Sequence, residues 1–246
     1  MNPMNSRNTR NSRTLRWIEL AVLLSILLTY GSATYQRNFV WKDDITLWID
    51  CTKKSPTKAR PHNNLAVAYN EKDLVDQAIS EAIIALRLRQ NYANPFISLG
   101  NAYFKKGSFD MAIMSFKNAL SIKSDYPDAY FGMGNAYAKK DEMDLAIEAF
   151  KKTIELSPDD ITARVNLAAA YGSKGLTDKA IAELQQTMVI KPDSPDIHYN
   201  LGVAFEEKGL LFNALAEYKT VLRLRPDDKE ANYKYHEIMG RLKMPF

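Results

Sequence analysis

The stretch "NPFISLGNAYFKKGSFDMAIMSFKNAL" (residues 94–120) contains two apolar blocks separated by the short polar run Lys105–Ser108. Within each block the apolar residues recur at helical spacing, so the stretch reads as two helices joined by a tight turn. Gly107 falls in the turn, where a left-handed backbone costs glycine little. Gly100 in the first block and Ala112 in the second leave room for the helices to cross closely, and Phe116 fills the space beside them. Such a hairpin has an apolar face that it cannot cover alone.

The hairpin is repeated. Tyr69, Tyr103, Tyr137, Tyr171 and Phe205 stand 34 residues apart, as do Ala78, Ala112, Ala146, Ala180 and Ala214. Leu65, Leu99, Met133, Leu167 and Leu201 keep the same interval, followed at once by Ala66, Gly100, Gly134, Ala168 and Gly202. Pro158, Pro192 and Pro226 stop the second helix of a unit, and Asp160, Ser194 and Asp228 stand where they can cap the next first helix. Pro127 and Pro195 fall at a first helical position, which needs no N–H.

On these residues, and on "PDAYFGMGNAYAKKDEMDLAIEAFKKTIELSP" (residues 127–158), the chain resembles the tetratricopeptide-repeat (TPR) family. The resemblance covers five units, 59–92, 93–126, 127–160, 161–194 and 195–228. It implies an all-α fold, a TPR solenoid in which antiparallel helix pairs stack into a right-handed superhelix. Residues 229–246 continue the register as a capping helix, apolar at Ala231, Tyr235, Ile238, Met239 and Leu242 and polar elsewhere.

Before the repeats lies "LAVLLSILLTYGSATYQ" (residues 20–36), without a charged residue. With Trp17 and Ile18 it reaches about 30 Å as a helix, the thickness of a bilayer core. Four arginines precede it, from Arg7 to Arg16. The expectation is an N-terminal transmembrane helix over 17–36, with a basic cytoplasmic tail over 1–16 and the repeats extracytoplasmic, periplasmic or luminal. Two alternatives stay open. A cleaved signal peptide finds a site at Gly31-Ser32-Ala33 but has Glu19 against it; a buried soluble helix needs no arginine asymmetry.

Residues 37–58 read as half a repeat that joins this segment to the array. Trp48, Cys51 and Pro56 take the repeat's aromatic, small and proline positions, and Trp41, Ile45, Trp48 and Thr52 share one helical face. The junction "RNFVWKDDITLWIDCTKKSPTKARPHNNLA" (residues 37–66) resembles that of transmembrane-and-TPR, O-mannosyltransferase-like membrane proteins. That resemblance names a multi-helix membrane glycosyltransferase as a partner, because this chain lacks the further membrane helices and the acidic loop that sugar transfer requires.

The net charge of +4 is concentrated in residues 1–58, which carry +5, so the repeats are close to neutral and no nucleic acid is expected as a partner. Cys51 is the only cysteine and has no partner for an intramolecular disulfide. No catalytic constellation stands out. The doublets Asp159-Asp160 and Asp227-Asp228 occupy the capping loop, His62 and His198 lie four repeats apart, and "GMGNAY" is embedded in a helix. The chain is read as a non-enzyme without cofactor or metal.

The working surface is expected on the inner face of the first helices. Asn63, Asn64, Asn101, Asn135, Asn166 and Asn200, with Phe131 and Tyr199, are the candidates for a peptide-binding groove. An asparagine both donates and accepts, so a row of them can hold an extended backbone without reading its side chains. The row resembles the asparagine ladder of O-GlcNAc-transferase repeats, although asparagine is also common at these positions among TPR sequences. A clamp for a terminal carboxylate is not expected, since Arg60 and Arg164 are the only early-turn basic candidates and stand three repeats apart. The functional expectation is a membrane-anchored scaffold that binds a protein or extended peptide segment, with the bilayer contacted through 17–36. The alternative is the substrate-recognition part of a membrane glycosyltransferase or export complex.

Overall fold

The computed structural model describes the backbone of residues 4–243 and, within the first helix, the side chains of 16–32, 34 and 35. Residues 1–3 and the side chains of 4–15 of the expected tail, and the last three residues of the expected cap, lie outside the described residues. Among those described there are thirteen helices and no strand. A long α1 (Met4–Val40) is followed by α2 (Asp44–Lys54). Five helix pairs come next: α3 (Ala59–Glu71) with α4 (Val75–Leu88), α5 (Ala93–Lys105) with α6 (Phe109–Ile122), α7 (Pro127–Lys139) with α8 (Met143–Leu156), α9 (Ile161–Ser173) with α10 (Thr177–Ile190), and α11 (Pro195–Glu207) with α12 (Leu211–Leu224). The last helix is α13 (Lys229–Arg241).

Each pair turns in the same way. A backbone N–H five residues on closes onto the carbonyl of Tyr69, Tyr103, Tyr137, Tyr171 or Phe205 at 2.8–2.9 Å. One residue of each turn is left-handed: Gly107, Gly175 and Gly209, but also Asp73 (φ 57°) and Asp141 (φ 62°). Of the expected caps, Asp160 and Asp228 accept from the N–H groups of Ala163 and Ala231, at 2.9 and 3.0 Å. Ser194 occupies the cap position without making that bond.

The pairs are locked by aromatic rings set against glycine. Phe116 is fully buried between two first helices: a Cβ on Gly100 of α5 would lie 2.5 Å from its ring, and one on Gly132 of α7 only 2.3 Å. Gly134 faces Phe150, and Gly202 faces Tyr218, at similarly short range. Where the second helix carries Ala82 or Leu184 instead, the matching residue of the first helix is Ala66 or Ala168. Ring and glycine are thus paired in size, repeat by repeat.

An exposed ladder of ion pairs runs across the seams. Lys106 meets Asp76 (2.8 Å), Lys140 meets Asp110 (2.7 Å), Lys174 meets Asp144, and Lys208 meets Asp178 (2.6 Å). Both partners advance by 34 residues at each rung. Their exposure keeps each contribution small, so the ladder sets register more than stability. The first helices α3, α5, α7, α9 and α11 also touch one another in succession, whereas second helices do not do so comparably. The first helices therefore lie on the inside of the curve.

Every described side chain of α1 is exposed, with Trp17 at 71% and Leu27 at 68%. The expected membrane-crossing segment is helical, but among the described residues no helix is long and apolar enough to cross a membrane. The strongly apolar part, Leu20–Leu28, spans only about 13 Å and gives way to Thr29, Tyr30, Gly31 and Ser32. Beyond it, α2 packs on α3. Asp43 caps α2 through a reciprocal pair with Thr46, whose backbone N–H holds the Asp43 carboxyl below its usual range.

Gly132→Ala should cost about 1–3 kcal/mol in urea unfolding followed by circular dichroism, because the Phe116 ring has no room to retreat. Gly240→Ala, with open space around it, should cost nothing. Asp141→Gly should add about 0.5–1 kcal/mol by relieving the left-handed turn.

Candidate peptide-binding groove

Three pockets follow one another along the inner face. The first, ≈ 450 Å³, lies between α3 and α5 and reaches the first turn of α7. Asn63, Asn70, Ser98 and Asn101 line it, with Val67, Ile97, Phe104 and Tyr126, and with Glu71, Asn94, Lys105 and Asp128 around them. The second, ≈ 230 Å³, is bounded by Phe104, Asn135, Met143, Asn166 and Ala169. The third, also ≈ 230 Å³, lies between α9 and α11 and includes Ala169, Gly172, Asn200, Val203 and Glu207.

Of the sequence candidates, Asn63 and Asn101 meet in the first pocket and Asn135 and Asn166 in the second. Asn63 is 3% exposed, and its Oδ1 accepts the Ser98 hydroxyl at 3.2 Å. Asn101 is exposed. The Asn166 amide donates to Asn135 Oδ1 at 2.9 Å, a rung spanning α7 and α9. Asn200 lines the third pocket but donates to the Asp196 carbonyl of its own helix at 2.7 Å. Asn64 instead shares a small recess of ≈ 120 Å³ with Asp44 and Trp48, between α2 and α3.

The two aromatic candidates line none of these three pockets. The Phe131 ring packs on Phe150 with centroids 6.0 Å apart, and Tyr199 packs on Tyr218 at 5.7 Å. Burial, then the Glu230 carboxylate, pushes the Tyr199 hydroxyl above its ordinary range.

Sequence reasoning missed Asn70, Phe104, Asn94, Tyr126 and Asp128. The signal was present for Asn94 and Phe104, which stand seven and three residues from Asn101 and so share its helical face. Ser98 and Gly132 hold the repeat position of Asn166 and Asn200, yet both are buried, Ser98 within the Asn63 network and Gly132 against the Phe116 ring.

The histidines have a structural place. His62 Nδ1 lies 2.6 Å from Glu81 and Nε2 lies 3.2 Å from the Pro56 carbonyl. His198 repeats this with Glu217 (2.6 Å) and Pro192 (2.9 Å). Arg164 does the same work in the fourth repeat, donating to Glu183 at 2.6 Å and to the Pro158 carbonyl at 3.0 Å. The Pro56 and Pro192 carbonyls only accept, so Nε2 donates to them, and each histidine bridges the same two kinds of partner as the arginine. In the second and third repeats both partners change together, to Phe96 with Ser115 and to Tyr130 with Ala149. Arg164 is thereby withdrawn from the groove. Among the described residues no group of three or more His, Cys, Asp or Glu is arranged to hold a metal.

Comparison with known families agrees with this geometry. A family model described as "TPR repeat" matches residues 100–141 and 173–209. Two described as "Tetratricopeptide repeat" match 127–160 and 195–228. The chain is a TPR protein. Its repeats resemble the crystal structure of MamA at 30% identity, over 69% of this chain and 98% of that one, with a TM-score of 0.60. YrrB, a TPR protein with an unusual peptide-binding site, is 22% identical over 76% of this chain and 96% of its own, with a TM-score of 0.61. TTC0263, a thermophilic TPR protein of Thermus thermophilus, is 21% identical over 74% and 98%, with a TM-score of 0.58. At these last two identities the likeness is one of TPR fold alone. No curated protein matches the chain by sequence. The matched TPR models begin at residue 100, so the resemblance of the 37–66 junction to O-mannosyltransferase-like proteins gains no support from them.

Glu183→Ala should lower stability by about 1–3 kcal/mol, because it leaves the largely buried Arg164 guanidinium without its carboxylate. Adding Arg164→Tyr, which reproduces the third repeat's pair, should recover most of that loss in the same denaturation assay.

Proposed function

We propose that this chain is a non-enzymatic scaffold whose inner groove holds an extended peptide segment of a partner protein. The observation that carries this reading is the succession of open pockets along contiguous first helices, lined by amides that retain bonding capacity. Asn101 has no partner among the described residues, and the Asn135–Asn166 bond uses one amide atom of each residue. A peptide N–H and C=O can engage the remaining atoms, while Phe104, Val67 and Val203 offer apolar surface to its side chains. YrrB, with a peptide-binding site on a similar fold, supports the same mode.

In this reading residues 17–36 attach the scaffold to a bilayer through the apolar run 20–28. The exposed apolar surface of α1 supports the attachment. So do the Ser25, Thr29 and Thr34 hydroxyls, each bonded back to a carbonyl of its own helix at 2.8–2.9 Å and needing no water. Cell membranes washed with sodium carbonate should retain the full chain, and release into the wash overturns the attachment.

The groove is tested with a random array of blocked decapeptides and fluorescence anisotropy on the peptides it selects. The variant Asn101→Ala/Asn135→Ala/Asn166→Ala should bind them at least ten-fold more weakly, as the loss of two or three hydrogen bonds of about 1 kcal/mol each requires, with an unchanged circular dichroism spectrum. Equal affinity of variant and wild type would sink the asparagine groove.

A further inference from the structure

Asn70 lines the first pocket and is 7% exposed. Its amide nitrogen donates to the Ser98 carbonyl at 2.8 Å, an atom that only accepts, which fixes the amide's orientation. Asn70 Oδ1 is then left buried without a hydrogen-bond partner, the only such side-chain atom among the described residues. Two carboxylates line the same pocket, Glu71 at the end of α3 and Asp128 in the first turn of α7, and neither has an ion pair or hydrogen bond among the described residues. The one lysine there is engaged: Lys105 donates to the Asn70 carbonyl and to Asp73, each at 2.5 Å.

An unpaired buried acceptor and two unpaired carboxylates ask for donors carrying positive charge. A carboxylate ligand would find no free cation among the pocket's lining residues, and a purely apolar side chain would cover the two carboxylates without satisfying either. The Phe104 ring adds a face against which a cation can rest, while the Tyr126 ring already carries the Lys123 ammonium at 4.8 Å. We propose that this pocket is a subsite for a lysine or arginine side chain of the bound segment. The proposal rests on the groove reading: the asparagines farther along α5, α7 and α9 hold the backbone, and this pocket selects one residue of it. The array thereby distinguishes among partners by a positive residue at a fixed place.

The test uses the full chain in detergent and four pools of blocked nonapeptides, random except for a central Arg, Lys, Leu or Glu. Anisotropy should give the Arg and Lys pools at least ten-fold tighter binding than the Leu and Glu pools, with the advantage shrinking between about 50 and 300 mM NaCl as screening grows. The variant Glu71→Gln/Asp128→Asn should erase that advantage. A Leu pool that binds as well as the Arg pool overturns the proposal, as does a basic preference that survives the variant. If binding ignores the central charge yet is lost in the triple asparagine variant, the groove stands and the subsite falls. If no pool binds, both fall together.

Discussion

The fold depends on one steric arrangement, the Phe116 ring closed between Gly100 and Gly132. The ring comes from a second helix, and the two glycines belong to the first helices of its own repeat and of the next. One side chain therefore fixes the crossing of a hairpin and the stacking of two hairpins together. Interiors packed at crystal-like density tolerate such a contact only when both surfaces are matched in size. The matching is carried through the array, with glycine opposite Phe150 and Tyr218 and alanine opposite Ala82 and Leu184. Because the rings bring first helices into mutual contact, those helices form the inner wall, and the groove is a result of how the core is packed.

Polar groups then refine what packing has set. The Lys–Asp rungs lie on the exposed edge of the seams, where water weakens them individually. The His62, Arg164 and His198 contacts reach back to the proline carbonyl that precedes each repeat and to a glutamate on the second helix. They tie the incoming chain to both helices of the pair. Their effect on the groove is indirect but definite: Arg164 is held away from it. What lines the groove are amides, with Lys105 and Lys139 among them and carboxylates in its first and third pockets.

Most of the architecture was legible because the 34-residue interval is unbroken from Tyr69 to Phe205 and the turns obey glycine's backbone freedom. Asp73 and Asp141 were not read as turn residues, since a left-handed aspartate is visible only once the backbone is known. The five copies also held a signal that position-by-position comparison passes over. Residues that change together between repeats, such as His62 with Glu81 against Phe96 with Ser115, mark contacts within a repeat without any relative to align. For the groove, composition pointed to asparagines, but helix geometry sends the ring of Phe131 towards Phe150 and that of Tyr199 towards Tyr218. Conversely Asn70 and Asp128 belong to the pocket because of where successive helices bring them, which no local pattern encodes. At the N-terminus the apolar run was plain, yet its polar second half leaves the described helix short of a full span.

Only Trp41, Lys42 and Asp43 separate α1 from α2, and Trp41 donates its indole N–H to Asp50 of α2 at 3.2 Å. Three residues reach at most about 11 Å. The array therefore sits on a bracket and not on a leash. A long flexible tether would let the groove sweep a large volume and dilute it with respect to anything held near α1. The short bracket has the opposite effect: it concentrates the groove within a narrow zone and limits the directions from which a partner can enter. Selectivity for partners would then have a geometric part, set by where they are held, alongside the chemical part written in the side chains.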